Sequence, residues 1–556
     1  MEGSRGQGFK GSRGSLSIRT WSLVIFLTLW LYSGLARAAN IENIPTDSWI
    51  YEDLDLLKVS GLIVSMPQTS RPWTRGEAAA LVREADSLSN SVPLLPAQLG
   101  ALERLRQEFG FELRQGPGKR PLVAIPVSEV KDGFVYGDLF SRLSAIQERS
   151  NDSLYFPVPY RMRQTGSLGA VIGNRPGDRF VFYERGEVTF YQPFQGDTWD
   201  SSGLHLPQAR ASAFHDLLAF EIEHAYLAFK VPWVRLEFGR DRLFWGPGYI
   251  SSVLLADHAP SLDLGQIAAV FRNFKFIGFT SYLSRWNYIH RFLSAQRVEF
   301  SVLGRATLGM AMMNVYSWDS LLLAPIAGFA NPLLPGYIEA ANTHHTSNLL
   351  VGFDGVVYLP RTKVYAQVNF DNYEFNTLRK APNAVAWQAG VRTVLAVPVD
   401  FLGEYSRIAA FTYYHRIHHI MFENWQVPLG HRLGPDADQL YLRVRYLPSR
   451  SLKLGLWADY TRRGYYNRGD FLRKSFFEHE PLPEEFPARG RDSLGNIIAT
   501  DDVDRTGRIG PELEWWPVAG LRVVARANLW AAQNFNGTPG LSKNGREFAL
   551  KLEYRY

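Results

Sequence analysis

From Gly133 to Tyr556 the chain alternates apolar and polar residues with period two, and no other feature restricts its fold so tightly. In KVYAQVNFDN, Val364, Ala366, Val368 and Phe370 fall on one face, with Lys363, Tyr365, Gln367, Asn369 and Asp371 on the other. QLYLRVRY and LRVVARANLWA repeat the pattern, setting Leu440, Leu442 and Val444 against Arg443 and Arg445, and Leu521 and Val523 against Arg522 and Arg526. Such alternation predicts strands with one apolar and one polar face. About 18 segments of this kind start near 133, 161, 178, 216, 234, 266, 275, 297, 305, 348, 362, 385, 400, 440, 452, 508, 521 and 545. Links from even to odd segments are short (GNRPGD, VPW, RNF, LGR, LPR, VPVD, LPSRS, PVAG), whereas most odd-to-even links are long. An even number of antiparallel strands joined by alternating short turns and long loops predicts a closed barrel in an outer membrane, its apolar face toward lipid. A sandwich or propeller has no reason to keep that parity.

The final segment, GREFALKLEYRY, agrees. It places Phe548, Leu550, Leu552, Tyr554 and Tyr556 opposite Glu547, Lys551, Glu553 and Arg555. It resembles the aromatic-ended terminal signal of outer-membrane proteins.

The other end predicts export. Arg5, Lys10, Arg13 and Arg19 precede the apolar run from Trp21 to Gly34, and Ala36-Arg37-Ala38 follows. A basic start, a short apolar stretch and an A-x-A site read as a signal peptide over 1–38. The run is shorter than the roughly 20 residues a membrane helix requires. Residues 1–38 carry five Lys/Arg and one Glu, so only +2 of the formal +6 remains beyond them. Nothing in that balance points to nucleic acid. The chain has no cysteine, which excludes disulfides, thiol nucleophiles and thiolate metal sites.

Residues 39–115 form a separate helical segment at the periplasmic side in this reading, ahead of a barrel over 116–556. Asp47 or Ser48 caps a helix through Lys58 that ends at Gly61. Thr74 with Glu77 has capping-box spacing for a second helix, and LPAQLGALERLRQEFG is a third. About 70 residues cannot build a large core, so the segment needs something to pack against.

Two stretches resemble the Wzi-type capsule assembly family of outer-membrane proteins: IPTDSWIYEDLDLLKVSGLI with RPWTRGEAAALV, and LEFGRDRLFWGPGYISSVLLADHAPSLD. The resemblance implies an 18-stranded barrel with helices at its periplasmic mouth. It also implies binding of bacterial capsular or extracellular polysaccharide at the cell surface, as a lectin rather than an enzyme. Outer-membrane lipid and the outer-membrane insertion machinery are the other partners implied, with no cofactor. A porin or polysaccharide export channel is the alternative. An outer-membrane hydrolase comes third, because no G-x-S-x-G elbow, phosphate loop or dinucleotide fingerprint appears.

The candidate polysaccharide-binding residues are Arg240, Asp241, Trp245, Tyr249, Asp257 and His258. Aromatic faces stack on sugar rings, and Arg and Asp offer charge-assisted hydrogen bonds. The competing reading makes Gly-Pro-Gly a turn, the rings girdle residues, and Arg240–Asp241 a lumenal ion pair. A second candidate is the basic strand face formed by Lys363, Arg443, Arg445, Lys453, Arg522, Arg526, Lys551 and Arg555. It attracts an acidic polymer unless acids such as Glu221, Glu223, Glu512 and Glu514 neutralise it. His415, His418 and His419, like His344 and His345, lack metal-site spacing and read as polar loop residues. The charged loop 467–507 reads as solvated surface.

Overall fold

The computed structural model describes residues 40–65, 68–113, 121–127, 133–150, 160–175, 178–191, 218–271, 273–283, 285, 289–302, 304–318, 347–372, 384–414, 418–425, 427–464, 503–535 and 538–555. The segment 1–38 and the histidines 344, 345 and 415 lie outside them, as does most of the loop 467–507.

Among the described residues eighteen long antiparallel strands close into a barrel, with the short strand Val123–Pro126 paired onto the first of them. In chain order they are β1 (Phe134–Ser150), β2 (Tyr160–Arg175), β3 (Phe180–Tyr191), β4 (Leu218–Val231), β5 (Val234–Asp241) and β6 (Leu262–Phe271). Next come β7 (Phe274–Tyr282), β8 (His290–Val302), β9 (Ala306–Trp318), β10 (Ser347–Leu359), β11 (Thr362–Asn372) and β12 (Ala384–Val394). The last six are β13 (Val399–Ile408), β14 (Ala437–Tyr446), β15 (Leu452–Arg463), β16 (Asp504–Val518), β17 (Leu521–Gln533) and β18 (Ser542–Arg555). Closure is made by β18 on β1, from Gly545↔Ser150 to Arg555↔Phe140. A closed ladder satisfies every backbone group without an open edge, which is what a strand crossing lipid requires. No helix among the described residues is long and apolar enough to cross a membrane.

The alternation reads out as predicted. On β14, Leu440, Leu442, Val444 and Tyr446 are exposed on the outer wall while Tyr441, Arg443 and Arg445 are buried inside. On β11, Val364 is exposed and Lys363, Tyr365, Gln367 and Asn369 are buried. An outer face of exposed Leu, Val, Phe and Tyr is stable only against lipid, so this is an outer-membrane barrel. The largest shift from the sequence reading is β8, which starts at His290 instead of near 297. Its first half is buried on both faces: Phe292 stacks on Tyr316 at 5.5 Å while Leu293 and Ala295 join the lumenal core, and polar Arg291, Ser294 and Gln296 are interspersed. Burial on both sides erases the period of two.

Three longer helices precede the barrel: α1 (Trp49–Val59), α2 (Arg75–Ser89) and α3 (Pro96–Glu108). The Ser48 hydroxyl caps α1 by accepting from Ile50 N, and the chain leaves this helix through Gly61 at φ +83°. Thr74 and Glu77 form a reciprocal capping box on α2. Pro96 sits at the first turn of α3, where its missing N–H costs nothing. The helices share a core of Leu54, Leu57, Ala78, Val82, Ala101 and Leu105, and that core extends onto Val394 and Leu447 beside the barrel's short turns. Residues 40–556 are one compact unit, so the helices are packed into the short-turn mouth.

Candidate functional site

The segment after β5 turns inward. Gly239 and Gly246 take φ of +137° and +117°, values that L side chains rarely adopt, and a Cβ at Gly246 would collide with the Gln367 side chain. These two positions explain the spacing in GRDRLFWGPG. Phe244 and Trp245 then pair with Ser70 and Arg71, and Gly246 N donates to Thr69 O at 3.0 Å. Trp245 is fully buried, edge-on to Phe279 at 5.4 Å. A loop expected at the cell surface is therefore folded into the lumen and stitched to the segment between α1 and α2.

The six candidate residues are scattered by this fold. Arg240 sits on the outer face and makes a bidentate pair with Asp263 at 2.7 and 2.8 Å. Asp241 is buried, bonded to His224 Nδ1 at 2.6 Å and to the Asn43 amide at 2.7 Å. The lumenal Arg240–Asp241 pair considered from sequence does not form, because neighbouring residues on a strand point to opposite faces. Trp245 and Tyr249, expected on an outward loop, point into the barrel, where the Tyr249 hydroxyl donates to Asp55 on α1. Asp257 and His258 are half-buried next to the loop 409–436, where Ala256 N donates to Leu429 O at 2.7 Å. Replacing Arg240 by Ala removes an exposed pair, so its expected cost is below about 1 kcal/mol in urea unfolding of the detergent-solubilised barrel. A larger loss would give that pair a structural role its exposure denies.

All eight basic strand residues singled out from the sequence have carboxylate partners, and five of the eight find one on the helices, Arg555 through Glu108 of α3. Lys363 meets Asp55 at 3.2 Å, Arg443 meets Glu52 at 3.4 Å, and Lys453 meets Asp53 at 3.3 Å. Arg445 is shared between Glu52 and Glu512. Arg522 and Arg526 take Glu514 and Glu512, Lys551 takes Glu553 at 2.8 Å, and Arg555 takes Asp138 at 3.3 Å. Glu223 pairs with Arg185 at 3.3 Å, and the side chain of Glu221 is outside the described residues. The basic face is thus a socket for the acidic face of α1. The sequence signal was there: Glu52, Asp53 and Asp55 fall together in WIYEDLDLL, but nothing in the strand pattern says which basic residues they meet.

Burial raises the Asp55 carboxyl, yet Lys363 and Arg392 outweigh it and hold the group at about 2. Glu108 on α3 is likewise held at about 2, with burial overcome by Arg555 and Arg75. An unfolded carboxyl titrates near 4, so the folded values are depressed. The stability these anchors contribute is complete above about pH 4 and is lost as pH falls toward about 2. The expected result is a near-UV dichroism signal from Trp49 and Trp73 that persists at about pH 5 and collapses only below about pH 4. Collapse already at pH 5 would contradict the anchoring.

A second plug comes from the long-loop side. Residues 409–414, 418–425 and 427–436 fold inward, and Tyr413, Ile420, Phe422, Val427 and Leu429 pack with Trp245, Val253, Leu254 and Phe279 in one lumenal core. The Tyr413 hydroxyl donates to Val253 O at 2.9 Å, and the buried Arg291 guanidinium reaches Met421 O at 2.6 Å. Phe411, Tyr413, Trp425 and Asp436 all have positive φ, between 52° and 74°. Bulky residues in that region persist only where surroundings over-determine them, and such strain clusters at working loops. Sequence reasoning missed Arg291 and Tyr413, since neither stands in a motif. His419 serves this loop through its carbonyl, which accepts from Arg291 at 2.9 Å. Among the described residues no three His, Asp or Glu side chains gather as a metal site.

The model of the capsule assembly protein Wzi family matches residues 151–300, which include the inward-turning GRDRLFWGPG segment. No curated relative matches the sequence. Among solved structures, the chain is similar to Wzi of Escherichia coli, an outer-membrane protein involved in group 1 capsule assembly and described as a carbohydrate-binding β-barrel. Identity is 15%, the match covers 92% of this chain and 99% of that one, and the TM-score is 0.58. OpdL of Pseudomonas aeruginosa matches at 9% identity over 76% of this chain and 98% of its own, with a TM-score of 0.41, too low to carry an argument. In sequence over residues 151–300, and in fold over nearly its whole length, this chain is similar to the Wzi capsule assembly proteins.

Proposed function

We propose that this protein is an outer-membrane lectin that attaches or assembles capsular or extracellular polysaccharide at the cell surface, acting by binding and not by catalysis. One observation carries the reading. The lumen is occupied at two levels by the chain's own residues, the acidic helix α1 in a basic socket and the two inward loops in an apolar core. A porin of this strand number keeps an aqueous path. Here the buried charges that would line such a path are consumed by the plug. The likeness to a protein described as a carbohydrate-binding barrel supports the same choice.

In this reading residues 1–38 are removed on export, the helices of the 39–115 segment lie at the periplasmic mouth, and the long loops face outward to meet the polymer. Lipid surrounds the outer wall, and the insertion machinery reads the terminal strand β18. With Trp245, Tyr249 and Asp241 committed to the interior, the glycan contacts belong to other surfaces of the long-loop side. Two measurements test this. Purified protein in detergent is expected to bind at least one member of a panel of acidic and neutral bacterial polysaccharides, and to stay electrically silent in planar bilayers. A sustained open conductance with no binding would replace the lectin by a channel. In an encapsulated host, deleting the gene should shed polysaccharide into the medium without reducing its synthesis.

A further inference from the structure

The helices do not fill the short-turn mouth evenly. Their shared core leans on Val394, Leu447 and Tyr358, toward β10–β15. The opposite wall, formed by β16–β18 and β1–β3, is left standing off, and a half-open cavity of about 1100 Å³ lies between it and the helices. Its lip is the exposed turn 519–520 together with Arg450, whose side chain is 59% exposed. Pockets for small ligands run from roughly 300 to 1,000 Å³, so this one has room for several linked sugar rings.

The chemistry of the wall is selective. Eight arginines line the cavity, with no lysine; each is already held by at least one carboxylate, so what they offer a ligand is their remaining N–H donors. Arginine presents five N–H donors in a rigid fork that fits a carboxylate. Arg450 and Arg106, near the opening, are tied to Glu103 and Asp86 and remain 59% and 38% exposed. Half-buried Trp49 and Trp516 lie among them. Arg104 lies over the Trp516 ring at 3.9 Å, holding one guanidinium at the aromatic wall. Flat rings beside guanidinium groups suit a ligand with apolar ring faces and carboxylates at its edge.

We propose that this cavity binds an acidic oligosaccharide, a uronic-acid segment a few residues long, at a site separate from the outward loops. The inference rests on the reading of the protein as a glycan binder and adds a second position, on the side of the short turns.

The absence of cysteine makes the test clean. Ser451 lines the cavity, so Ser451→Cys places a single thiol there. Maleimide labelling of this variant in detergent is followed with trigalacturonate, with the neutral maltotriose, or with neither. Trigalacturonate is expected to slow labelling at least tenfold at saturation, and maltotriose to leave it unchanged. Adding Arg450→Gln and Arg106→Gln, both exposed and safe for folding, should remove that protection with the heat-modified gel shift intact. Equal protection by both sugars, or none by either, overturns the proposal. If protection fails while the protein still binds polysaccharide from the panel, the cavity assignment falls and the lectin reading stands. If protection holds and panel binding fails, the reverse applies.

Discussion

Replacing Asp55 by Asn is expected to cost about 3–5 kcal/mol in urea unfolding of the detergent-solubilised barrel, the range for removing one partner of a buried ion pair. Asp55 meets Arg392 at 2.7 Å and Lys363 at 3.2 Å, and it accepts from the Tyr249 and Tyr358 hydroxyls. Asparagine keeps the shape but only one acceptor oxygen, so it can accept from only one of the two hydroxyls, and it leaves both cations short of a carboxylate. Arg392 retains Asp400 at 2.9 Å, so most of the cost falls on Lys363, whose side chain is 8% exposed. Adding Lys363→Met should therefore return a large part of the loss, giving a coupling of about 1–3 kcal/mol in the double-mutant cycle. Because Tyr249 joins the inward loop to α1 through the same carboxylate, Asp55→Asn should also loosen that loop. A change within about 0.5 kcal/mol, with no rescue, would mean that water already screens the network and that the helices are not locked in place.

That network marks where the sequence stops being legible. The strands were readable because lipid on one side and a polar interior on the other impose a local rule, one residue at a time, on Val364 as on Leu442. The helix ends were readable for the same reason: Ser48, Thr74 with Glu77, and Pro96 act within a few residues of themselves. Pairing across the lumen has no such local rule. Glu52 and Arg445 are 393 residues apart, and only closure of the barrel brings them together. The GRDRLFWGPG segment was correctly singled out and placed on the wrong side of the wall, since glycine at positive φ announces a sharp change of direction without saying where it leads. Trp245 and Tyr249 have the chemistry of a sugar platform, and burial assigns them to the plug instead. The cavity at the short-turn mouth was invisible, because it arises from how the helices lean and not from any run of residues.

Trp245→Ala should have the second large effect, about 3–5 kcal/mol, and it should act at the opposite mouth. The side chain is fully buried, with Phe279 edge-on at 5.4 Å and with Val253, Leu254 and Leu255 in the same core. Its backbone pairs with Ser70 and bridges to Leu255, so the indole joins the linker of the helices to the loop core. Removing it leaves a large apolar void that the strands, fixed by the closed ladder, cannot collapse to fill. The barrel itself should survive, as its strands are held to one another by the closed backbone ladder. The inward loop should become mobile and let ions past it. The expected record is a far-UV spectrum unchanged from the parent, together with intermittent current steps in planar bilayers where the parent is silent. Silence with a full loss of stability would place the seal elsewhere, in the helices alone. Current with no loss of stability would mean that Trp245 gates the lumen sterically without holding the core together.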